Sequence, residues 1–189
     1  MKKYILDLVV TQNIRLHANY VLIKMTHANP LPEMVPGQFA EIRIDGSQST
    51  YLRRPISINF VDKAANEVWF LVQLVGDGTR QLATVKEGDV VNVVLPLGNG
   101  YTLPQESAPV KPLLVGGGVG TAPMLMLGST LAKMGIKPTF LLGARSANDL
   151  LQLEEFQKLG DVYTTTEDGS MGERVTLLST AFSATRSLI

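Results

Sequence analysis

A glycine-rich stretch between a predicted strand and a predicted helix decides the fold: Leu113-Leu114-Val115-Gly116-Gly117-Gly118-Val119-Gly120-Thr121-Ala122-Pro123. Its first three residues are apolar throughout, as in strands buried on both faces of a parallel sheet. Pro123 opens a helix predicted to run to Met134, with Thr121 near its N-cap and Gly135 just past its end. A strand, a glycine loop and a helix in this order are typical of a nucleotide-binding α/β domain.

The loop itself departs from the usual dinucleotide spacing. Thr121 stands at the sixth position when counting begins at Gly116, where G-x-G-x-x-G has glycine. No acidic residue about 20 positions later offers itself to a ribose. Four glycines in five residues are nevertheless costly to order. We therefore interpret residues 116–120 as a ligand loop rather than as a packing feature.

After this loop, strands and helices continue to alternate. We predict a strand over 139–142, a helix over 150–159 ending at Gly160, and a strand over 161–165. Alternation of this kind builds a doubly wound parallel sheet. Together with the glycine loop, this alternation predicts a doubly wound, nucleotide-binding α/β domain that begins at residue 113.

Before the loop, the chain has the pattern of short strands. In the segment 39–44, Ala40, Ile42 and Ile44 share one face. The predicted strands cover 4–11, 19–26, 39–44, 56–60, 68–74 and 90–95, with one helical turn over 79–85. Short strands separated by Pro and Gly indicate an antiparallel barrel or sandwich. We assign 1–103 to this domain and the proline-rich segment 104–112 to a linker.

Composition and charge exclude several classes of protein. The chain of 189 residues carries 17 basic and 17 acidic side chains and no cysteine. Balanced charge argues against nucleic-acid binding and against an anionic membrane patch. Without cysteine these residues supply no thiolate catalysis and no iron–sulfur ligand, and His17 and His27 have no metal-ligand spacing. No signal peptide or spanning segment is recognisable, so we expect a cytoplasmic protein.

A second informative segment is Arg53-Arg54-Pro55-Ile56-Ser57. The planar fork of an arginine matches phosphate oxygens, and the hydroxyl group of Ser57 can bond a flat polar ring. On a regular strand Arg54 and Ser57 point to opposite faces, so both reach one ligand only if it is as long as a dinucleotide. The alternative is a solvated arginine pair flanking a strand.

The third informative segment is Val75-Gly76-Asp77-Gly78-Thr79, at the start of the short predicted helix. A glycine-rich turn into a helix exposes backbone N–H groups, which suits a pyrophosphate. The alternative is an ordinary strand-to-helix turn.

The three segments, in this order, resemble the ferredoxin–NADP reductase superfamily, and within it the electron-transfer subunits of class B dihydroorotate dehydrogenases. Further similar segments are Leu52–Ile58, Gly143-Ala144-Arg145-Ser146 and Thr166-Glu167-Asp168-Gly169-Ser170. The resemblance implies an FAD-binding antiparallel β-barrel followed by an NAD-binding, Rossmann-like domain over 113–189 that is incomplete at its C-terminus. It also implies that the chain carries electrons between FAD and NAD(H).

The resemblance carries site residues with it. FAD contacts are implied for Arg54, Pro55, Ile56 and Ser57, backbone contacts for Leu71, Val72 and Gln73, and pyrophosphate contacts for Gly78 and Thr79. Nicotinamide-nucleotide contacts are implied for Gly117, Gly118, Gly120 and Thr121, with Arg145 and Asp168 nearby. No catalytic acid or base and no metal ligand is expected.

The resemblance also implies a partner, an FMN-containing dihydroorotate dehydrogenase catalytic subunit. The family's [2Fe–2S] centre is expected in such an enzyme, but its cysteine ligands are absent from this chain. We therefore expect a truncated form or a fragment. Three alternatives stay open: a reductase subunit of a hydrogenase, sulfite reductase or ferredoxin:NADP system; a catalytically incomplete FAD-binding or assembly module; and a structural sandwich with an incidental glycine loop.

Overall fold

The structure is a computed structural model that describes residues 2–47, 49–105 and 109–174. It divides into two compact units, Met1–Tyr101 and Thr102–Ile189. The predicted domain boundaries at 103 and 113 stay predictions. Residues 106–108 of the predicted linker lie outside the described residues, as does the predicted incomplete end of the second domain beyond 174.

Seven strands form one antiparallel sheet in the described part of the first unit. They are β1 (Tyr4–His17), β2 (Tyr20–Thr26), β3 (Phe39–Ile42), β4 (Arg54–Ser57), β5 (Phe60–Asp62), β6 (Glu67–Gln73) and β7 (Val90–Leu97). Their order is β4-β3-β7-β1-β2-β6-β5. β4 and β5 are the two ends of this order, yet only Ile58 and Asn59 separate them in the chain. Ile58 N donates to Gln38 O beside β3 at 3.0 Å, and Asn59 N donates to Trp69 O of β6 at 2.9 Å. The sheet therefore curls into the predicted barrel.

The barrel interior follows the predicted alternation. Ala40, Ile42 and Ile44 are all buried, whereas Arg43 between them is exposed. The largest fully buried side chains of this unit are Phe70, Leu8, Ile23, Met25, Ile42, Ile58, Leu71, Leu82 and Leu95. Full burial of each such side chain contributes about 2 kcal/mol of transfer free energy. This core holds the strands that carry the candidate site.

Several predicted boundaries in the first unit were wrong. β1 continues to His17, because bulges at Val10/Gln12 and Arg15/His17 shift its register and break the period-2 pattern. The predicted strand over 56–60 is two strands, β4 and β5, separated by Ile58 and Asn59. The predicted helical turn over 79–85 is α1 (Asp77–Leu82).

The second unit alternates strands and helices as predicted. Its elements are β8 (Leu113–Gly117), α2 (Ala122–Lys133), β9 (Thr139–Ala144), α3 (Leu153–Gln157) and β10 (Asp161–Thr166), with 3₁₀ turns at Gly118–Thr121 and Ala147–Asp149. The three strands are parallel and lie in the order β10-β9-β8. This order is one half of the strand order of a doubly wound sheet.

Helix α2 packs closely on the sheet through a glycine. A Cβ atom on Gly128 would lie 2.4 Å from Cζ of Phe140, so no larger residue fits between helix and strand. Phe140 also meets Phe156 of α3 edge to face, with ring centroids 5.0 Å apart. Gly135, with φ of +74°, follows the end of α2 as the sequence predicted.

Two predictions for the second unit were wrong in extent. The predicted helix over 150–159 is only α3, because residues 147–149 form a 3₁₀ turn and Gln152 takes a left-handed φ of 54°. The predicted loop over 116–120 begins at Gly118, since Gly116 and Gly117 belong to β8. Among the described residues, no helix has both the length and the apolar character needed to cross a membrane.

Candidate functional site

Arg54 and Gly78 come together in the barrel unit, although 24 positions separate them. A Cβ atom placed on Gly78 would lie 2.7 Å from Nε of Arg54 and 3.0 Å from Cγ2 of Thr50. Only glycine leaves room for the arginine side chain to lie directly on this turn. The family resemblance implies an FAD contact for Arg54 and a pyrophosphate contact for Gly78, and the structure brings the two residues together.

The guanidinium group of Arg54 has no hydrogen-bond or ion-pair partner among the residues that the structure describes. Its neighbour Arg53 is different, because it donates to the carbonyl oxygen of Asn92 at 3.0 Å. An arginine fork without a protein acceptor, half-buried against a glycine turn, is available to bind an anion. Of the predicted pair, Arg54 alone is therefore free for a ligand.

The other residues of this motif also lie on β4, which is the strand at one end of the sheet order. Pro55 is exposed, whereas Ile56 and Ser57 are half-buried. The hydroxyl group of Ser57 makes no hydrogen bond to any described residue. Arg54 and Ser57 are the first and last residues of β4, and they pair with Ile42 and Phe39 of β3. The motif thus offers a guanidinium group at one end of a short strand and a hydroxyl group at the other.

Leu71, Val72 and Gln73 present their backbone on an open strand edge. Their side chains are occupied: Leu71 and Val72 are buried, and Gln73 donates to the hydroxyl group of Tyr20 at 2.9 Å. β6 pairs with β2 along its whole length, but its pairing with β5 stops at Trp69. The opposite edge of residues 70–73 has no strand partner in the described part of the chain. Backbone groups here can contact a flat polar ring.

Thr79 closes the turn at the start of α1. Its hydroxyl oxygen accepts hydrogen bonds from Val75 N at 3.0 Å and Gly76 N at 3.1 Å, and the hydroxyl group donates to Gly76 O at 3.0 Å. The proton of this hydroxyl group is therefore already used within the protein. Thr79 can therefore donate to a phosphate only through its backbone N–H group, while its side chain caps the start of α1.

In the second unit, the glycines of the predicted loop divide into two kinds. A Cβ atom on Gly116 would lie 2.3 Å from Sδ of Met124, so Gly116 permits close packing of β8 and α2. Gly118 has φ of +52° and its carbonyl oxygen accepts from the Thr121 hydroxyl group at 2.9 Å. A Cβ atom on Gly120 would meet nothing within 4 Å. Gly117 is exposed at the end of β8.

Arg145 and Asp168 lie next to each other at the carboxyl ends of β9 and β10, where ligands bind in open α/β sheets. Both are exposed, and Asp168 N donates to Arg145 O at 3.1 Å. The Asp168 carboxylate accepts from Ser170 Oγ at 2.6 Å and Ser170 N at 2.9 Å. These bonds hold the pKa of Asp168 below its usual range, so it stays charged at neutral pH. Gly118 and Thr121 follow β8 at the same sheet edge.

Sequence reasoning missed Thr50 and Asn59. Thr50 is buried with its methyl group against the Gly78 turn, and its backbone N–H donates to Ser47 Oγ at 3.0 Å. Asn59 is fully buried between β4 and β5. No local pattern marks either residue, because the first depends on a turn far along the chain and the second on barrel closure.

Comparison with known proteins identifies relatives in sequence and in fold. No protein-family model matches the chain. It is 36% identical over 168 residues to the dihydroorotate dehydrogenase B (NAD(+)) electron transfer subunit of Fusobacterium nucleatum, covering 89% of this chain and 65% of that protein. It is 42% identical over 140 residues to the subunit of the same name from Listeria monocytogenes, covering 74% and 55%. The chain thus spans 55–65% of the length of these relatives.

A solved structure supports the same assignment. The NADH-dependent reduced ferredoxin-NADP oxidoreductase, described for flavin-based electron bifurcation, superposes with a TM-score of 0.80 at 27% identity. The match covers 94% of this chain and 62% of that one. Sequence similarity and fold similarity therefore point to the same group of proteins. The chain has the fold of ferredoxin–NADP reductase-like proteins and is a sequence relative of the dihydroorotate dehydrogenase B electron transfer subunits.

Proposed function

We propose that this chain binds FAD on its barrel and a nicotinamide nucleotide on its α/β unit, as part of an electron-transfer subunit of a dihydroorotate dehydrogenase B. The observation that carries the proposal is the Arg54 guanidinium group, which lies against Gly78 and has no acceptor among the described residues. This guanidinium group can make a charge-assisted, bidentate contact to a phosphate group of FAD.

The described residues fit FAD in three places. Arg54 and the Gly78 turn form a cradle that a Cβ atom would fill, and this cradle suits the pyrophosphate. The Ser57 hydroxyl group and the open edge of Leu71–Gln73 suit the polar rim of the flavin ring. When bound, FAD supplies the conversion between hydride transfer and single-electron transfer. The residues of the chain bind and orient it, and none of them needs to act as an acid or base.

The α/β unit fits a nicotinamide nucleotide on its carboxyl edge. Gly120 leaves open space beside the turn after β8, and Arg145 and Asp168 lie at the ends of the neighbouring strands. The named relatives act with NAD(+), which favours NAD(H) for this chain. We assign Gly117, Gly118, Gly120 and Thr121 to contacts with this ligand.

A [2Fe–2S] centre does not fit the residues of this chain, which has no cysteine. Electron transfer between FAD and its redox partner other than the nicotinamide nucleotide therefore involves residues or subunits outside this sequence. By similarity to its relatives, we propose an FMN-containing catalytic subunit as the partner. The similarity to a reduced ferredoxin-NADP oxidoreductase favours a second candidate, a ferredoxin-linked reductase subunit.

Titration of the purified chain with FAD tests the flavin site. We expect a yellow complex, and we expect Arg54→Ala to weaken FAD binding about 100-fold through loss of a charge-assisted phosphate contact. Arg15→Ala is the matched control, because Arg15 is exposed and, among the described residues, its side chain donates only to Ala18 O on the β1–β2 hairpin. Unchanged affinity in Arg54→Ala would remove the flavin role of this residue.

Addition of NADH to the anaerobic FAD complex tests the second site. Bleaching of the flavin absorbance supports the assignment of both units. A yellow protein that stays yellow would leave the flavin barrel in place and favour the binding or assembly module. A chain that stays colourless after FAD is supplied would refute the proposed function. Copurification of an FMN protein, or of a ferredoxin, separates the two candidate systems.

A further inference from the structure

Arg53 is half-buried and makes several hydrogen bonds, yet the proposed function gives it no role. Consecutive side chains of an extended chain point to opposite sides. Arg54 lies against Gly78 on one side, and Arg53 extends away from it to Asn92 of β7. The two arginines of the motif therefore have different surroundings and different tasks.

The guanidinium group of Arg53 bonds two strands of the barrel directly and reaches a third through Asn92. Nη1 donates to Asn92 O at 3.0 Å and to Glu41 O at 3.4 Å, and Nη2 donates to Asn92 Oδ1. The amide group of Asn92 is oriented in turn by Asp7, since Nδ2 donates to Asp7 Oδ1 at 2.6 Å. The network thus crosses β3, β7 and β1. A planar fork can make these bonds together, whereas the single ammonium group of lysine is a point charge.

This network is the main restraint on the loop that leads into β4. Tyr51 and Leu52 at the loop tip are 89% and 75% exposed, and between Thr50 and Arg54 the structure describes no other hydrogen bond. Thr50 holds the near end of the loop against Gly78. The bonds of Arg53 hold its far end, one residue before Arg54.

We propose that Arg53 is a positioning residue that directs Arg54 toward the phosphate of the bound dinucleotide. Because Arg54 has no acceptor among the described residues, its direction depends on where the chain enters β4. The pairing of Arg54 with Ile42 of β3 and the hydrogen bonds of Arg53 together set that point. The inference rests on the proposed flavin site, and it assigns Arg53 no contact with the ligand itself.

The test compares two flavins that differ in phosphate content. In the full chain with Arg53→Lys, we expect FAD to bind about tenfold more weakly, because a misdirected Arg54 loses part of its phosphate contact. Riboflavin has no phosphate, so its affinity should not change. Arg15→Lys is the matched control for the substitution. Equal losses for FAD and riboflavin would mean that Arg53 only stabilises the barrel, and would overturn the proposal.

A double-mutant cycle gives a second, independent readout. If Arg53 acts through Arg54, Arg53→Lys should cause no further loss of FAD affinity in the Arg54→Ala chain. The same tenfold loss in both backgrounds would overturn the proposal. If Arg53→Lys does not fold, the same affinities are measured with Asn92→Ala, which removes the side-chain acceptor of Arg53. A wild-type chain that binds no FAD refutes the proposed function, whereas a wild-type chain that binds FAD with no coupling refutes only this inference.

Discussion

The two units hold their candidate residues in different ways. In the barrel unit, the candidate residues Arg54, Ser57 and Leu71–Gln73 lie on paired strands, and Gly78 lies in the first turn of α1, which the Thr79 hydroxyl group caps. In the α/β unit, Arg145 and Asp168 lie on exposed turns beyond the strand ends. Strand pairing fixes the first site before any ligand arrives, whereas local polar contacts hold the second. Substitutions should therefore separate flavin retention from reaction with NADH.

The largest expected effect is at the contact between Gly78 and Arg54. Gly78→Ala places a Cβ atom 2.7 Å from Nε of Arg54, and the flexible arginine side chain has to move away. We expect the barrel to stay folded while FAD affinity falls by roughly 30- to 100-fold, the scale of a charge-assisted contact. Flavin fluorescence titration measures the affinity, and circular dichroism checks the fold.

Gly76→Ala is the matched control in the same turn. A Cβ atom there meets nothing within 4 Å, and φ of −145° suits any residue. FAD affinity should stay within a factor of two of wild type, since a residue that fits without contact changes little. Equal losses in both variants would mean that the turn as a whole, rather than the Arg54 cradle, determines flavin binding.

The next largest effect tests the independence of the two units. Gly128→Ala forces a Cβ atom to 2.4 Å from Cζ of Phe140, and overpacking of this kind costs about 1–3 kcal/mol of unfolding free energy. We expect lower stability of the α/β unit and a slower reaction with NADH, with FAD affinity unchanged. Denaturant unfolding followed by circular dichroism and by flavin fluorescence distinguishes the units.

Gly120→Ala serves as the control for that substitution. Its Cβ atom would meet nothing within 4 Å, so the stability should match wild type. If Gly120 borders the nicotinamide nucleotide as proposed, the reaction with NADH slows although the fold is intact. Loss of FAD from either variant would contradict the separation of the two sites.

The smallest effect concerns the polar contacts of the second site. Ser170→Ala removes the hydroxyl donor that is the main cause of the lowered pKa of Asp168, so this pKa should rise toward its ordinary value of 3.8. A carboxylate with a lowered pKa stabilises the folded chain above its unfolded pKa and loses that contribution as pH falls through the folded value. The acid limb of the stability curve should therefore shift slightly upward in pH.

Carbon-13 NMR titration of the Asp168 carboxyl group measures the change directly. The remaining bond from the backbone N–H group of residue 170 should keep the pKa below 3.8. Ser49→Ala is the control, since its hydroxyl group bonds Asp77 in the other unit. An unchanged pKa of Asp168 in Ser170→Ala would mean that the backbone bond alone holds the charge.

Most of the fold could be predicted from the sequence, because alternation and glycine positions are local signals. The barrel, the parallel sheet and the end of α2 at Gly135 were confirmed. The sequence could not show that Arg53 and Arg54 have different contacts, because the acceptors of Arg53 lie on strands 12 and 39 positions away. The sequence analysis also included Gly116 in the ligand loop, whereas in the structure the missing side chain of Gly116 makes room for Met124. Both cases depend on contacts that only the folded chain creates.

Pro55 has a consequence for the ligand-free protein. It is exposed on β4, which ends the order of the barrel sheet, and proline has no backbone N–H group to donate. β4 pairs with β3 on one side only. The outer edge of such a strand can pair with another chain through its free donors and acceptors, and proline weakens that pairing because it lacks a donor. The same strand that we propose to carry flavin contacts is thus poorly suited to intermolecular pairing. We expect the FAD-free protein to resist aggregation through edge-to-edge strand pairing.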